Sequence, residues 1–151
     1  MRKLKRILLV IAVCAYAIPS AFAMEKADNI LGVWMNEDKD AYIEITKRDN
    51  KYFGKLVWLK FPIDDETGKE KLDKHNPDES LRSRPVFGLE ILTNFEFNGN
   101  SKWTDGKIYD PKKGNTYSCY MKFVDDEKLK IRGYVGVSII GRTTYWTKVK
   151  K

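Results

Sequence analysis

The segment from Asp73 to Arg84 concentrates polar side chains that could do chemistry, and it reads DKHNPDESLRSR. Arg84 precedes a proline, which drives its backbone toward extended geometry, whereas Arg82 falls where a helical turn is expected. Two roles fit this pattern. A guanidinium could meet the carboxylate or phosphate of a ligand, or Asp73 could form a salt bridge with Arg82 or Arg84 that anchors the segment. The candidate ligand-binding residues of this segment are Asp73, Asn76, Arg82 and Arg84.

Residue types suited to catalysis or metal binding are scarce. His75 is the only histidine, so a zinc site would have to combine it with Cys119 and carboxylates. The acidic residues between positions 64 and 79 lack the spacing of a calcium-binding loop. No serine lies in a Gly-x-Ser-x-Gly setting, and no glycine-rich phosphate loop follows a strand. Paired carboxylates for glycoside hydrolysis stay open, because their separation is a three-dimensional property. We assign no catalytic residue, metal ligand or cofactor, and we favour a function other than catalysis.

Alternating apolar and polar residues predict β-strands along most of the chain. Turn-forming residues separate these stretches, and Asn98-Gly99 is the strongest turn because both residues accept the positive φ of a tight hairpin. With short turns and no long helical pattern, about eight strands predict an all-β domain, a single antiparallel barrel or a sandwich. The predicted strands are 30–35, 41–47, 52–60, 87–97, 107–109, 116–124, 128–135 and 137–149.

One connection, residues 61–86, is much longer than the others, and a connection of this length is usually functional or disordered. Asn76 followed by Pro77, Asp78 and Glu79 has the pattern of an N-cap, a first-turn proline and an acidic first turn. The pattern predicts a short helix that begins after Asn76 and ends near Arg82. Such a helix could cover one mouth of the barrel.

The aromatic residues and the cysteine of the predicted barrel each allow two interpretations. An eight-stranded barrel can be filled by side chains or can hold one small ligand. Trp103 and Tyr109 are therefore either packing residues or part of a ligand site, and we include both among the ligand-binding candidates. Cys119 shares a strand face with Met121 and Phe123, which predicts a buried small residue. A reactive thiol is the alternative.

The first 23 residues have the layout of a secretory signal peptide. Four basic residues precede an apolar stretch that ends in Ala21-Phe22-Ala23. This pattern predicts cleavage after Ala23, a single domain over residues 24–151, and a periplasmic or secreted location. Lipidation at Cys14 is disfavoured, since Val13 is not the small residue that lipoprotein cleavage prefers. No later segment is long and apolar enough to predict a membrane span.

Cleavage changes the charge of the chain. The signal segment carries four positive charges and no negative ones, so the formal net charge falls from +7 to +3. The remaining basic residues are interleaved with acidic ones, as in KRDNK and DDEKLKIR. A nucleic-acid partner needs a clustered basic face, and the sequence therefore predicts none.

Gly32-Val33-Trp34 on the first predicted strand resembles the Gly-x-Trp of lipocalins and other calycin barrels. In those barrels the tryptophan closes one end beneath a basic residue of the last strand. Either Arg142 or Lys148 could supply that residue here, with a cation–π contact of about 1 kcal/mol. The residues implied in barrel closure are Gly32, Trp34, Arg142 and Lys148.

A longer resemblance covers nearly the whole chain after residue 23. The ordered segments ILGVW, DKHNPD, LRSRPVFGLEIL, WTDGKIYDPKKGNTY, LKIRGYVG and GRTTYWTKV resemble the exported bacterial family known as domain of unknown function number 2147. The most specific segment runs from Gly106 to Pro111, with Gly114 and Tyr117. Lys148 stands where we expect the family more often to have arginine. The resemblance implies an exported calycin-type barrel, and it brings no established catalytic residues.

Two hypotheses of function follow. In the first, the barrel holds a small apolar or amphipathic molecule, and Arg82 and Arg84 orient its polar end. In the second, a filled barrel presents its long loop to a periplasmic protein, as an interaction or inhibitor-like module in envelope maintenance. An interior solidly packed by aromatic residues would contradict the first hypothesis.

Overall fold

The computed structural model describes residues 26–150, which form a closed antiparallel barrel. Each strand pairs with its neighbours in chain order, and the last strand pairs with the first. The predicted eight-stranded barrel is therefore confirmed. The strands are β1 (Gly32–Met35), β2 (Ala41–Arg48), β3 (Lys51–Leu59), β4 (Glu90–Phe97), β5 (Lys102–Asp110), β6 (Asn115–Asp125), β7 (Lys128–Tyr134) and β8 (Gly141–Lys148).

The two ends of the barrel differ in their connections. Because consecutive strands run in opposite directions, the β1–β2, β3–β4, β5–β6 and β7–β8 connections surround one end, which we call the mouth. The other three connections and residues 26–31 lie at the opposite end, which we call the base. The long β3–β4 connection therefore belongs to the mouth.

The hairpin turns at the base show two kinds of turn chemistry. Asp49 and Asn50 both have positive φ, as a two-residue hairpin turn requires. The prediction that both Asn98 and Gly99 take positive φ is wrong for Asn98, because only Gly99 does. The loop is longer, and the Asn98 side-chain oxygen accepts hydrogen bonds from the amides of residues 100, 101 and 102.

Two boundaries at the mouth differ from the sequence prediction. The helix within the long connection is a short 3₁₀ turn, Glu79–Leu81, and its N-cap is Asp78 rather than Asn76. The Asn76 side chain instead accepts a hydrogen bond from the Asp78 amide and shapes the turn before the helix. The last strand begins at Gly141 rather than at residue 137, because residues 135–140 close on themselves as a loop through the Val135 amide and the Ile140 carbonyl.

The base half of the interior is filled by aromatic side chains. Trp34, Tyr52 and Trp103 are almost fully buried, and Phe123 packs against them. The ring centroids of Trp103 and Phe123 lie 5.4 Å apart in an edge-to-face arrangement, and those of Trp34 and Phe123 lie 5.9 Å apart. At Gly106 the Phe95 ring occupies the space that a Cβ would take, so only glycine fits at this position. These contacts give the barrel an aromatic core at its base, and a second pocket borders this core at Phe97, Trp103 and Phe123.

No helix within residues 26–150 combines the length and the apolar character that crossing a membrane requires.

Candidate functional site

A cavity of about 720 Å³ occupies the mouth half of the barrel. This volume falls in the range typical of small-molecule sites, which are mostly apolar with a few polar groups at defined positions. The polar residues of its lining include Asp40, Lys112 and Arg142, on the connections and strand ends of the mouth. The wall is made of inward-facing side chains of the strands and one residue of the long loop: Ala41, Ile43, Leu56, Leu59, Val86, Ile91, Ile108, Ile131 and Trp146.

The cavity and the aromatic core occupy separate halves of the interior. Trp34, Tyr52, Trp103 and Phe123 do not line the cavity. Trp103 was a ligand-binding candidate, but its position on β5 aims its ring into the base core. Gly133 on β7 keeps space open at the mouth, because a Cβ there would reach Ile108 and Tyr117 at 3.4 and 3.7 Å.

Asp73 is the centre of a polar network beside the cavity. Its side chain is completely buried. One carboxylate oxygen accepts hydrogen bonds from Asn76 Nδ2 (2.8 Å) and from Arg84 Nε (3.0 Å), with Arg84 Nη2 at 2.9 Å. The other oxygen accepts from the Tyr109 hydroxyl at 2.5 Å. The Asp73 amide also donates to the Arg84 carbonyl. The network therefore fastens the long loop to β5, which carries Tyr109.

The network holds the tyrosine in its neutral form. Burial is the largest cause, and the hydrogen bond to Asp73 and the charge of that carboxylate add to it. Together they raise the pKa of Tyr109 to about 12. Tyr109 also lines the cavity, so the structure joins the anchored loop to the wall of the cavity.

Arg82 and Arg84 do not line the cavity. Arg82 Nε donates to the Asn76 carbonyl at 2.8 Å, and its guanidinium pairs with Glu79. Arg84 is tied to Asp73. Of the two roles that the sequence left open, the structure shows the anchoring salt bridge, formed by Arg84 rather than by Arg82. The role of the two arginines in orienting a ligand stays a prediction, and this geometry does not favour it, because both side chains are engaged within the loop.

The β5–β6 connection is folded against the long loop at Gly114. Gly114 has φ +70, and a Cβ at this position would overlap the carbonyl oxygen of His75. Asp110 shapes the turn, since its carbonyl accepts the Gly114 amide at 2.8 Å and its side chain accepts the Lys112 amide at 2.9 Å. The close approach explains why glycine follows the two lysines in this segment.

One ion pair joins two connections on opposite sides of the mouth. Lys112 Nζ of the β5–β6 connection lies 2.9 Å from Asp40 Oδ2 of the β1–β2 connection, and both residues line the cavity. The hydrogen bond to Asp40 is the main cause that raises the pKa of Lys112. Burial raises the pKa of Asp40, but hydrogen bonds from Asn36 and Lys112 outweigh it and lower the value. Neither residue was a candidate from the sequence, because 72 positions separate them.

The Gly-x-Trp segment closes the base. Trp34 Nε1 donates to the Ile30 carbonyl at 2.8 Å, and Lys148 Nζ lies 5.2 Å from the centre of the Trp34 ring. Gly32 has φ +116 and lies beside the Lys148 side chain. The structure thus places Lys148, of the two basic candidates, over Trp34. Arg142 lies at the other end of β8, at the mouth, and does not contact Trp34.

Cys119 and His75, the two residues that a zinc site would have to combine, lie in different surroundings. Cys119 is completely buried on β6, and burial raises the pKa of its thiol to about 12, which keeps it protonated and unreactive. Within residues 26–150, no group of three or more His, Cys, Asp or Glu side chains is arranged to hold a metal ion. His75 lines the cavity but contributes its carbonyl oxygen to the contact with Gly114.

The wall of the cavity is the part of the site that sequence reasoning missed. Ile43, Leu56, Ile91 and Ile131 occupy alternate, inward-facing strand positions, and this alternation is visible in the sequence. The same alternation describes the buried residues of the base, so the pattern does not separate a filled half from an open one.

A closed eight-stranded meander with an apolar cavity at one end and a tryptophan-plugged base defines the class of lipocalin-like barrels. The model of the family described as "Uncharacterized protein conserved in bacteria (DUF2147)" matches residues 32–148. The chain belongs to this family. The family resemblance of the sequence is therefore confirmed. A search of the curated proteins finds no relative that matches.

Among solved structures, the chain is similar to the protein HP1028 from the human pathogen Helicobacter pylori, described as belonging to the lipocalin family. The two share 21% sequence identity, the match covers 81% of this chain and 84% of that one, and the TM-score is 0.70. At this level of identity the likeness supports the fold alone.

Proposed function

We propose that this protein binds one small apolar or amphipathic molecule in the mouth half of its barrel. The observation that carries the proposal is the apolar cavity of about 720 Å³ that lies beside, and not within, the aromatic core. An interior built only for stability would be filled at both ends, because unfilled apolar space costs packing contacts. The lipocalin-like fold of the chain supports the same function.

The rim of the cavity carries charges of both signs, with Glu37, Asp38, Asp64 and Asp110 among the acidic ones, and three of its cations could meet an anionic end of a ligand. Lys71, Lys113 and Arg142 line the rim, and within residues 26–150 none of the three forms a salt bridge. A carboxylate or phosphate at the mouth would gain charge-assisted hydrogen bonds from them. Arg142 thereby takes over the orienting role that the sequence suggested for Arg82 and Arg84.

Export is the second part of the proposal. The predicted signal peptide, residues 1–23, lies outside the described residues, so its support is the sequence pattern of basic, apolar and small residues. All eight strands lie within residues 26–150, and cleavage after Ala23 would leave the whole barrel intact. A periplasmic or secreted location fits a carrier of a poorly soluble molecule.

The alternative, a filled barrel that presents its loop to a protein partner, has less support. It required a packed interior and arginines available to the partner. The interior has a cavity, while Arg84 is held by Asp73 and Arg82 by the Asn76 carbonyl.

Native mass spectrometry tests the proposal directly. The chain of residues 24–151, purified gently from the exported fraction of its own cells, is weighed under native and denaturing conditions. We expect an additional mass that is lost on denaturation. A bare protein in both conditions counts against a resident ligand and leaves binding to be tested with an added probe.

The added probe is anilinonaphthalene sulfonate, an apolar fluorophore with an anionic group. Thr144→Trp places a large ring in the cavity, because Thr144 lines it, and we expect dye affinity to fall by about tenfold or more. Thr147→Trp is the matched control on the same strand, since Thr147 is exposed on the outer face. If the two variants bind the dye equally well, the cavity is not the binding site.

A further inference from the structure

Three of the four connections at the mouth are fastened to one another. The β1–β2 connection meets the long β3–β4 loop where the Lys60 amide donates to the Asp40 carbonyl at 2.8 Å, and it meets the β5–β6 connection in the ion pair of Asp40 with Lys112. The β5–β6 connection in turn packs against the long loop where Gly114 approaches the His75 carbonyl. These contacts tie three sides of the mouth together.

The β7–β8 connection, residues 135–140, is not fastened to the other three. Within residues 26–150, no hydrogen bond or salt bridge joins it to them. Its internal backbone bonds run from the Val135 amide to the Ile140 carbonyl and from the Ile140 amide to the Val137 carbonyl. The amides of residues 136–139 have no acceptor in the part of the chain that the structure describes. A connection with so few bonds to its surroundings can move without disturbing the rest of the mouth.

Arg132 holds the β7–β8 connection on the outer side of the barrel. Its neighbour Ile131 lines the cavity, so Arg132 points outward by the alternation of strand residues. The guanidinium donates to the carbonyls of Ser138 (2.9 and 3.0 Å) and Ile139 (2.8 Å), and to the Thr143 hydroxyl at 3.1 Å. These bonds draw the middle of the connection away from the opening of the barrel.

In this position the connection leaves apolar side chains in water. Val137, Ile139 and Ile140 are 59%, 86% and 66% exposed. Contiguous exposed apolar residues usually mark a site of interaction. At the two ends of the same connection, Val135 and Ile140 already line the cavity. The apolar surface of the connection is therefore continuous with the wall of the cavity.

The two ends of the connection differ in how tightly they are packed. A Cβ at Gly141, where β8 begins, would overlap the Gly133 carbonyl, whereas a Cβ at Gly136 would meet nothing within 4 Å. Gly136 also has φ +69, a conformation that glycine adopts without strain. Rotation at Gly136 can therefore turn the residues that follow it while the start of β8 stays in place.

We propose that the β7–β8 connection is a lid that Arg132 holds open, and that this lid closes over an occupied cavity. An apolar occupant offers Val137, Ile139 and Ile140 a surface to cover, and their burial offsets the loss of the bonds to Arg132. Over an empty cavity the closed lid would cover only open space, so the three bonds to Arg132 favour the open position. The inference rests on the proposed binding of a small molecule, and it assigns the passage of that molecule to the β7–β8 side of the mouth.

Cross-linking that depends on the occupant tests the closure. The chain of residues 24–151 carries Ile139→Cys in the lid and Asp38→Cys in the β1–β2 connection, which also lines the cavity, while the native Cys119 is buried and does not compete. With a short bismaleimide, we expect the yield of the link within one chain to rise about fivefold or more when anilinonaphthalene sulfonate is added. The control pair, Ile139→Cys with Val124→Cys at the base end of β6, should give no link within one chain with or without the dye.

Dye dissociation gives a second measurement that does not use cysteines. Arg132→Met removes the bonds that hold the lid open, so the closed state of the dye-loaded chain should gain in population. We expect dissociation of anilinonaphthalene sulfonate, followed by stopped-flow fluorescence, to slow by about threefold or more. Arg48→Met is the matched control, because Arg48 is an exposed arginine at the base end of β2 and pairs with Glu90.

The outcomes separate the lid from the binding function on which it rests. If the unmodified chain does not bind the dye, the binding function fails and the lid fails with it. If the dye binds but leaves the cross-linking yield unchanged, the lid alone is overturned. A dissociation rate in Arg132→Met that equals or exceeds that of the unmodified chain also overturns the lid. Links between two chains instead of within one overturn it as well, and they would assign the exposed apolar residues to contact with a second copy.

Discussion

Replacing Asp73 with asparagine tests whether the buried network holds the long loop against the barrel. Asp73 receives four donor contacts: one from Asn76, two from Arg84 and one from Tyr109. Asparagine has nearly the same shape, but it is uncharged, and one of its two terminal groups is a donor. In one orientation its side-chain oxygen accepts from Arg84 and Asn76, and its amide nitrogen faces the Tyr109 hydroxyl. In the other orientation the oxygen faces Tyr109, and the amide nitrogen faces Arg84 and Asn76.

The expected cost follows from these contacts. A hydrogen bond to a charged group contributes about 1.5–3 kcal/mol, and removal of one partner of a buried ion pair costs about 3–5 kcal/mol. Solvent screens part of this interaction, because the Arg84 side chain is 38% exposed. We therefore expect Asp73→Asn to destabilise the docked loop by roughly 2–3 kcal/mol.

Hydrogen exchange measures this cost in the loop itself. The amides of Asp73 and Val86 donate to the carbonyls of Arg84 and Lys71 and join the two sides of the loop. A loss of 2–3 kcal/mol predicts that these amides exchange about 30- to 150-fold faster in Asp73→Asn. Strand amides of β7 should change less, because the barrel ladder does not depend on the loop.

The control is Asp126→Asn, an exposed position in the β6–β7 turn at the base, where we expect a change within about 0.5 kcal/mol. An acceleration below about fivefold at the Asp73 and Val86 amides would refute the assignment of the network as the anchor of the loop.

Two further predictions concern the same mouth. Gly114→Ala should lower the free energy of unfolding, measured with urea, by about 2–4 kcal/mol, because it combines φ strain with overlap on the His75 carbonyl. Gly99→Ala, with φ +80 and open space around the residue, should lower it by about 1 kcal/mol. Equal losses in the two variants would contradict the close packing at Gly114. The pKa of Tyr109 is raised from 10.0 to about 12, so its contribution is fully present below pH 10 and is lost as the pH rises toward 12. Unfolding measured across this range should show a steeper alkaline loss of stability in the unmodified chain than in Tyr109→Phe, and parallel curves would argue against the Tyr109–Asp73 bond.

Local patterns in the sequence were sufficient to predict an antiparallel all-β domain of about eight strands, and the family resemblance selected a barrel rather than a sandwich. Alternation of apolar and polar residues has the period of a strand, and the turn residues between the runs mark where the chain reverses. The anchoring salt bridge was also within reach, because Asp73 and Arg84 belong to one loop. The beginning of the last strand was not within reach. Val137, Ile139 and Ile140 have the residue types of a strand, yet they lie in the exposed β7–β8 connection.

Composition and local periodicity thus determined that this chain forms an antiparallel all-β domain with one long loop, and the resemblance to a known family added that the sheet closes into a barrel. The tertiary structure alone decided which half of the interior is filled, which basic residue covers Trp34, and which groups surround the mouth. The reason is physical. A strand residue alternates toward the interior whether that interior is packed or open, and contacts such as Tyr109 with Asp73 or Lys112 with Asp40 join positions 36 and 72 residues apart. Closure of the sheet brings these distant residues together, and no local pattern in the sequence predicts which of them meet.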